Sequence, residues 1–93
     1  MRLSFEWDAG KAASNEKKHG VSFDEAATVF DDPLFITVID VAHCSDEERY
    51  ITIGISKDSR LLIIAHTDRH DHIRIIGARR ATKKEENYYA EAA

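Results

Sequence analysis

Residues 60–80, RLLIIAHTDRHDHIRIIGARR, constrain the chain most. Two runs of long aliphatic and β-branched residues, Leu61 to Ala65 and Ile73 to Ala78, flank a polar break. This pattern reads as a β-hairpin. The hairpin also concentrates positive charge. From Arg60 through Lys84 there are seven Lys or Arg against two Asp, a local charge of +5 in a chain whose formal total is −4. A partner feels that local field more than the total.

The rest of the chain builds around this hairpin. Ninety-three residues make one domain, 1–93, with a modest core. Leu3 to Trp7 alternates as a short strand. Asp8 is a helix N-cap, and a helix is expected from about Ala9 to Lys18, stopped by Gly20. Ser22-Phe23-Asp24-Glu25 reads as a capping box, with Glu25 reaching back to the start of a helix over Phe23 to Phe30. Asp31-Asp32-Pro33 ends that helix. Leu34 to Val41 is β-rich, His43 to Glu48 is a polar loop, and Arg49 to Ser56 alternates as a strand. Thr82-Lys83-Lys84-Glu85 is a second capping box and opens a C-terminal helix carrying Tyr88 and Tyr89. The order β-α-α-β-β-β-β-α predicts an α+β fold with a mostly antiparallel sheet.

Turn lengths give a register. Three turn residues at 57–59 place Ser56 opposite Arg60 and Tyr50 opposite His66. Four turn residues at 68–71 place His66 opposite Ile73 and Arg60 opposite Arg79. The main core is then the face of Ile51, Ile53, Ile55, Leu61, Ile63, Ala65, Ile76 and Ala78. The second face holds Tyr50, Thr52, Gly54, Arg60, Leu62, Ile64, His66, Ile75, Gly77 and Arg79. A slip of one residue exchanges the faces.

Arginine is the dominant chemical signal. Arg60, Arg69, Arg74, Arg79 and Arg80 carry guanidinium forks that suit phosphate oxygens and can hold a pentacovalent transition state. The bland alternative is a solvated surface with ion pairs to the acidic remainder. His66, in a strand opposite Tyr50, is either a general acid or base or a structural histidine. His66, His70 and His72 with Asp68 and Asp71 match no established metal-ligand spacing, so no metal is expected. Cys44 beside His43 lacks a base at a motif-like spacing, and as a single cysteine it forms no internal disulfide. Asp40, Asp46, Glu47 and Glu48 form an acidic lobe that is either a paired-carboxylate site or, more often, a solvated loop and docking surface for a basic partner. His19 reads as a helix-closing residue at the negative end of the dipole. No apolar run approaches the ~18 residues of a membrane span. The N-terminus lacks a secretory segment, so a cytoplasmic protein without membrane contact is expected.

Several segments, taken together, carry a family resemblance. They are Asn15-x-x-Lys18-His19-Gly20-Val21-x-Phe23-x-x-Ala26, Phe30-x-Asp32-Pro33, Glu48-Arg49 with Ile53-Gly54, and Ile73-Arg74-Ile75-Ile76-x-Ala78-Arg79-x-Ala81-Thr82 with Glu85 and Tyr88. The chain resembles the BrnT family of bacterial type II toxins over nearly its whole length. The resemblance implies a RelE-like domain and a metal-independent endoribonuclease that cuts cellular RNA and inhibits translation, with no cofactor. It also implies a BrnA-like ribbon-helix-helix antitoxin that masks the toxin and carries it to operator DNA. Arg74 and Arg79 fall in the family's C-terminal strand motif and Arg49 in its Glu-Arg motif. Gly77 stands where relatives usually have serine.

Combining the two readings, His66, Arg74 and Arg79 are the expected catalytic group. Arg49, Arg60, Arg69, Arg80, Lys83 and Lys84 are expected to track the RNA backbone. A rival reading keeps the fold and antitoxin docking but makes the chain a weak or inactive homologue acting as co-repressor. The ribonuclease reading requires a cationic groove; guanidinium groups scattered or neutralised by carboxylates would count against it.

Overall fold

Asp8 caps the first helix by accepting a hydrogen bond from the Lys11 backbone N–H at 2.9 Å, and the helix α1 runs Ala9–His19. It ends at Gly20, whose φ of 70° lies in the left-handed region that glycine enters without a Cβ penalty. The computed structural model describes residues 3–43, 47–69 and 71–92. Cys44, Asp46 and His70, singled out in the sequence, lie outside the described residues. The second helix, α2, spans Phe23–Thr28 and tightens into a 3₁₀ turn over Val29–Asp31.

Ser22 caps α2 through Glu25 N at 3.0 Å, as expected. Glu25 does not complete the capping box. It is buried, 4% exposed, and its carboxylate accepts from Arg60 and Ser56 instead. A buried carboxylate needs a charged partner more than a helix end needs a second cap. The C-terminal box does close on both sides: Glu85 N donates to Thr82 Oγ1 and Thr82 N to Glu85 Oε1. It opens α3, Lys83–Ala92.

Five strands form one sheet: β1 Ser4–Glu6, β2 Ile36–Ile39, β3 Tyr50–Ile55, β4 Leu61–Arg69 and β5 His72–Arg80, in spatial order β1-β5-β4-β3-β2. Only β1 against β5 is parallel. The α+β architecture is therefore the expected one. The β3–β4 register also agrees, with Tyr50 opposite His66 and Ser56 N donating to Arg60 O.

The β4–β5 register differs. The strands run on to Arg69 and His72, shortening the turn, so His66 pairs with Ile75. Ala65 then pairs with Gly77, which leaves Ile76 as the extra residue of a β-bulge. Beyond that bulge every side chain of β5 changes face.

The core correspondingly lies on the face expected to be secondary. Leu62, Ile64, Ile73, Ile75 and Ala78 pack against Val21, Phe23, Ala26 and Val29. Gly54 is on this face because Val29 presses close: a Cβ there would sit 2.8 Å from Val29 Cγ1. The Ile51, Ile53 and Ile63 face carries a smaller cluster closed at one end by Tyr89 of α3. No residue of α1 or α2 belongs to that cluster.

Candidate nucleic-acid interface

The partly uncovered sheet face is built by alternation and by the bulge. Ile51, Ile53, Ile63 and Ala65 point to it from β3 and β4, and Gly77 and Arg79 reach it from β5 because Ile76 is inserted. Arg74, paired with Thr67, is on the same face and lies 3.6 Å from Glu6 of β1. A cleft of about 200 Å³ opens here, lined by Arg79, Gly77, Ala65 and Ile63 from the sheet and by Asn15 and His19 from α1.

Asn15 explains how α1 reaches the cleft. β1 covers only the first residues of β5, so the β5 edge beyond Arg74 has lost its strand neighbour. The Asn15 side-chain amide takes that place: it accepts from Ala78 N at 3.1 Å and donates to Ala78 O at 2.8 Å and Val21 O at 3.0 Å. Two of these hydrogen bonds hold the C-terminal half of α1 against β5, and the third ties it to the segment that follows the helix. That brings His19 to the rim of the cleft holding Arg79. The Asn15…Lys18-His19-Gly20-Val21 segment is thus a docking device that carries a histidine. Sequence reasoning assigned His19 only to closing the helix; its pairing with an asparagine one turn earlier was the available signal.

Arg79 is held by a bidentate pair, Nη1 to Glu85 Oε1 and Nη2 to Glu85 Oε2, both 2.8 Å, and Nη1 also donates to Arg80 O. The guanidinium holds the Glu85 carboxyl down to about 2. The pair is therefore ionised throughout the neutral range. It leaves Arg79 its side-on fork, Nε–H and the second Nη2–H, for a phosphate. The side chain is 42% exposed. At Gly77 the nearest atom to a Cβ would be Asn15 Oδ1 at 3.8 Å, so a serine there would fit beside Arg79.

The other residues expected at the site are placed apart. His66 is 1% exposed and lies on the helix-covered face, because the bulge separates it from Arg79. Its Nε2 pairs with Thr52 Oγ1 at 2.7 Å and its Nδ1 with Asp68 Oδ1 at 2.9 Å. Phe30 packs edge-on and Tyr50 stacks against the ring. Burial pushes the His66 imidazole down from its ordinary value, with Asp68 opposing. Arg60 is bound to Glu25 and to Gly20 O, clamping the β3–β4 turn onto the start of α2. Arg69 pairs with Glu47 at the far end of the hairpin. Lys83 stands 3.8 Å from Glu86 on the solvent side of α3. Lys84 borders an apolar cleft with Val38 and Tyr88. Arg49 is half-buried just before β3, and Arg80 is exposed at the end of β5.

The expected single cationic groove is therefore corrected. Alternation and the bulge distribute the arginines over both faces. Arg60, Arg69, Arg74 and Arg79 each have a carboxylate partner.

Two comparisons place this arrangement among known proteins. The family model described as the ribonuclease toxin BrnT of type II toxin-antitoxin systems matches residues 7–85. The chain belongs to the BrnT family. The match runs from Trp7 at the end of the first extended segment to Glu85, the Arg79 partner, and so includes the Asn15 device and the whole sheet except β1. Among solved structures, the crystal structure of the Brucella abortus ribonuclease toxin BrnT aligns at a TM-score of 0.64 with 16% identity, covering 88% of this chain and all of that one. At that identity the likeness shows the fold. No curated protein matches the sequence. Membership makes the chain a ribonuclease toxin of a type II system, whose partner is an antitoxin. No helix among the described residues is long and apolar enough to cross a membrane.

Proposed function

We propose that this BrnT protein is an endoribonuclease toxin that cuts cellular RNA and inhibits translation, using the RNA 2′-hydroxyl as nucleophile and no metal ion. The observation that carries the reading is Arg79, held in a cleft on the partly uncovered sheet face with one guanidinium fork free of any partner among the described residues. A phosphate seated on that fork has its charge partly neutralised as the pentacovalent state forms. Glu85 keeps the guanidinium in place without using the fork. Arg74, further along the same face, grips a neighbouring phosphate. His66 acts as a positioning residue that holds β3 to β4, since both ring nitrogens are engaged inside the protein. Arg49, Arg80, Lys83 and Lys84 supply the outlying field. A BrnA-like ribbon-helix-helix antitoxin neutralises the toxin in the cytoplasm and connects it to operator DNA.

The rival reading, a weak homologue retained for antitoxin binding and co-repression, draws support from the four arginine–carboxylate pairs. Induced expression separates the two. Wild-type protein should arrest growth and degrade RNA, and Arg79→Ala should lower the cleavage rate about 100-fold or more, as expected for a lost charge-stabilising donor. Growth and RNA unchanged by wild-type expression would favour the rival.

A further inference from the structure

We infer that the substrate strand runs along α1, in a groove between that helix and the bulge of β5, before it enters the Arg79 cleft. The inference rests on the ribonuclease reading and names the path of its substrate. The groove, of about 510 Å³, is lined by Lys11, Ser14, Lys18 and His19 from α1 and by Ile76 from β5. Asn15 and His19 line both this groove and the Arg79 cleft, so the two spaces adjoin.

Helical spacing puts Lys11, Ser14 and Lys18 on one face, with the lysines about 10 Å apart along the axis. Neither lysine pairs with a carboxylate among the described residues, in contrast to four of the hairpin arginines. Asp8 also borders the groove and accepts from Lys11 N, which marks the end at which a polyanion is repelled. The bulge contributes the apolar part: Ile76, left without a strand partner, presents its side chain to the groove. Separated cations beside an aliphatic surface suit a single strand, whose phosphates meet the lysines while a base rests on the side chain. Continuity with the phosphate-shaped fork of Arg79 favours RNA over an acidic protein segment as the occupant.

The test compares three exposed lysines of one helix. Lys17 lies about 100° round from Lys18 and does not line the groove. Binding is measured with a fluorescent, short, unstructured, fully 2′-O-methylated RNA, which lacks the nucleophile and stays intact. Lys11→Ala and Lys18→Ala should each weaken binding about three- to tenfold at low salt and reduce the salt slope by about 0.7, one phosphate contact each. Lys17→Ala should leave affinity near wild type. Alanine favours the helix, so folding is preserved. Equal losses in all three variants, or none in any, would overturn the path. So would Lys11→Ala and Lys18→Ala proteins that keep RNA affinity but lose affinity for the antitoxin. Cleavage by wild type and Arg79→Ala judges the ribonuclease reading separately, because the groove is read from binding alone.

Discussion

His66 shows how one side chain can read as catalytic in sequence and serve the core in the fold. Its neighbours fix its tautomer. Asp68 accepts from Nδ1–H, so Nε2 accepts from the Thr52 hydroxyl, whose oxygen in turn stands 2.7 Å from the Thr37 hydroxyl. Burial opposes protonation, so the folded protein resists a proton that the unfolded chain takes up below about 6.5. The sign follows. The group has no effect on stability above pH 6.5, and stability falls as pH drops below that value, levelling off below the depressed folded pKa. His66→Gln should remove that component, worth about 1.4 kcal/mol per pH unit while it operates. Denaturant midpoints of wild type and variant between pH 7 and 5 check it; parallel curves would show the imidazole protonating freely in the fold.

At the scale of elements, caps were legible and faces were not. Asp8, Ser22, Gly20 and the Thr82–Glu85 box each act locally, and local chemistry is written in adjacent residues. The choice of core face depends on α1 and α2, which sit far from the hairpin in sequence. Both faces of β3 and β4 are apolar enough to be buried. Gly54 and Thr52 fall on the second face in the sequence pattern, yet Gly54 admits Val29 and Thr52 is satisfied by His66. The Ile76 bulge is marked in the sequence only by the neighbouring Gly77, and it alone moves Arg79 away from His66. The join of α3 to β5 is local again and is testable. Arg79 lowers Glu85 from 4.5 to about 2. The pair's stabilisation is therefore complete above pH 4.5 and disappears as pH falls through about 2. Solvent on both partners keeps it at about 1 kcal/mol. Glu85→Gln should be less stable by that amount at pH 7, with the difference vanishing in acid. A difference that persists at the lowest pH would place the loss in packing.

For the whole molecule, net charge misleads and the distribution of unpaired charge informs. The −4 total includes carboxylates already committed to arginines, Glu25 to Arg60, Glu47 to Arg69 and Glu85 to Arg79. Sequence marked the arginines as the relevant chemistry and correctly placed two of them, Arg74 and Arg79, on one strand. It could not show which forks carboxylates occupy, because those partners lie on α2, α3, β1 and the segment before β3. The central claim is that the Arg79 cleft performs cleavage through the 2′-hydroxyl. The most direct measurement is cleavage of a single-stranded RNA by purified protein in the presence of a metal chelator, alongside the same sequence as DNA and the Arg79→Ala variant. The expected result is RNA cut with a cyclic phosphate end, DNA intact, and the variant slower by about 100-fold or more. Undiminished cleavage by Arg79→Ala, or equal cutting of DNA, would contradict it.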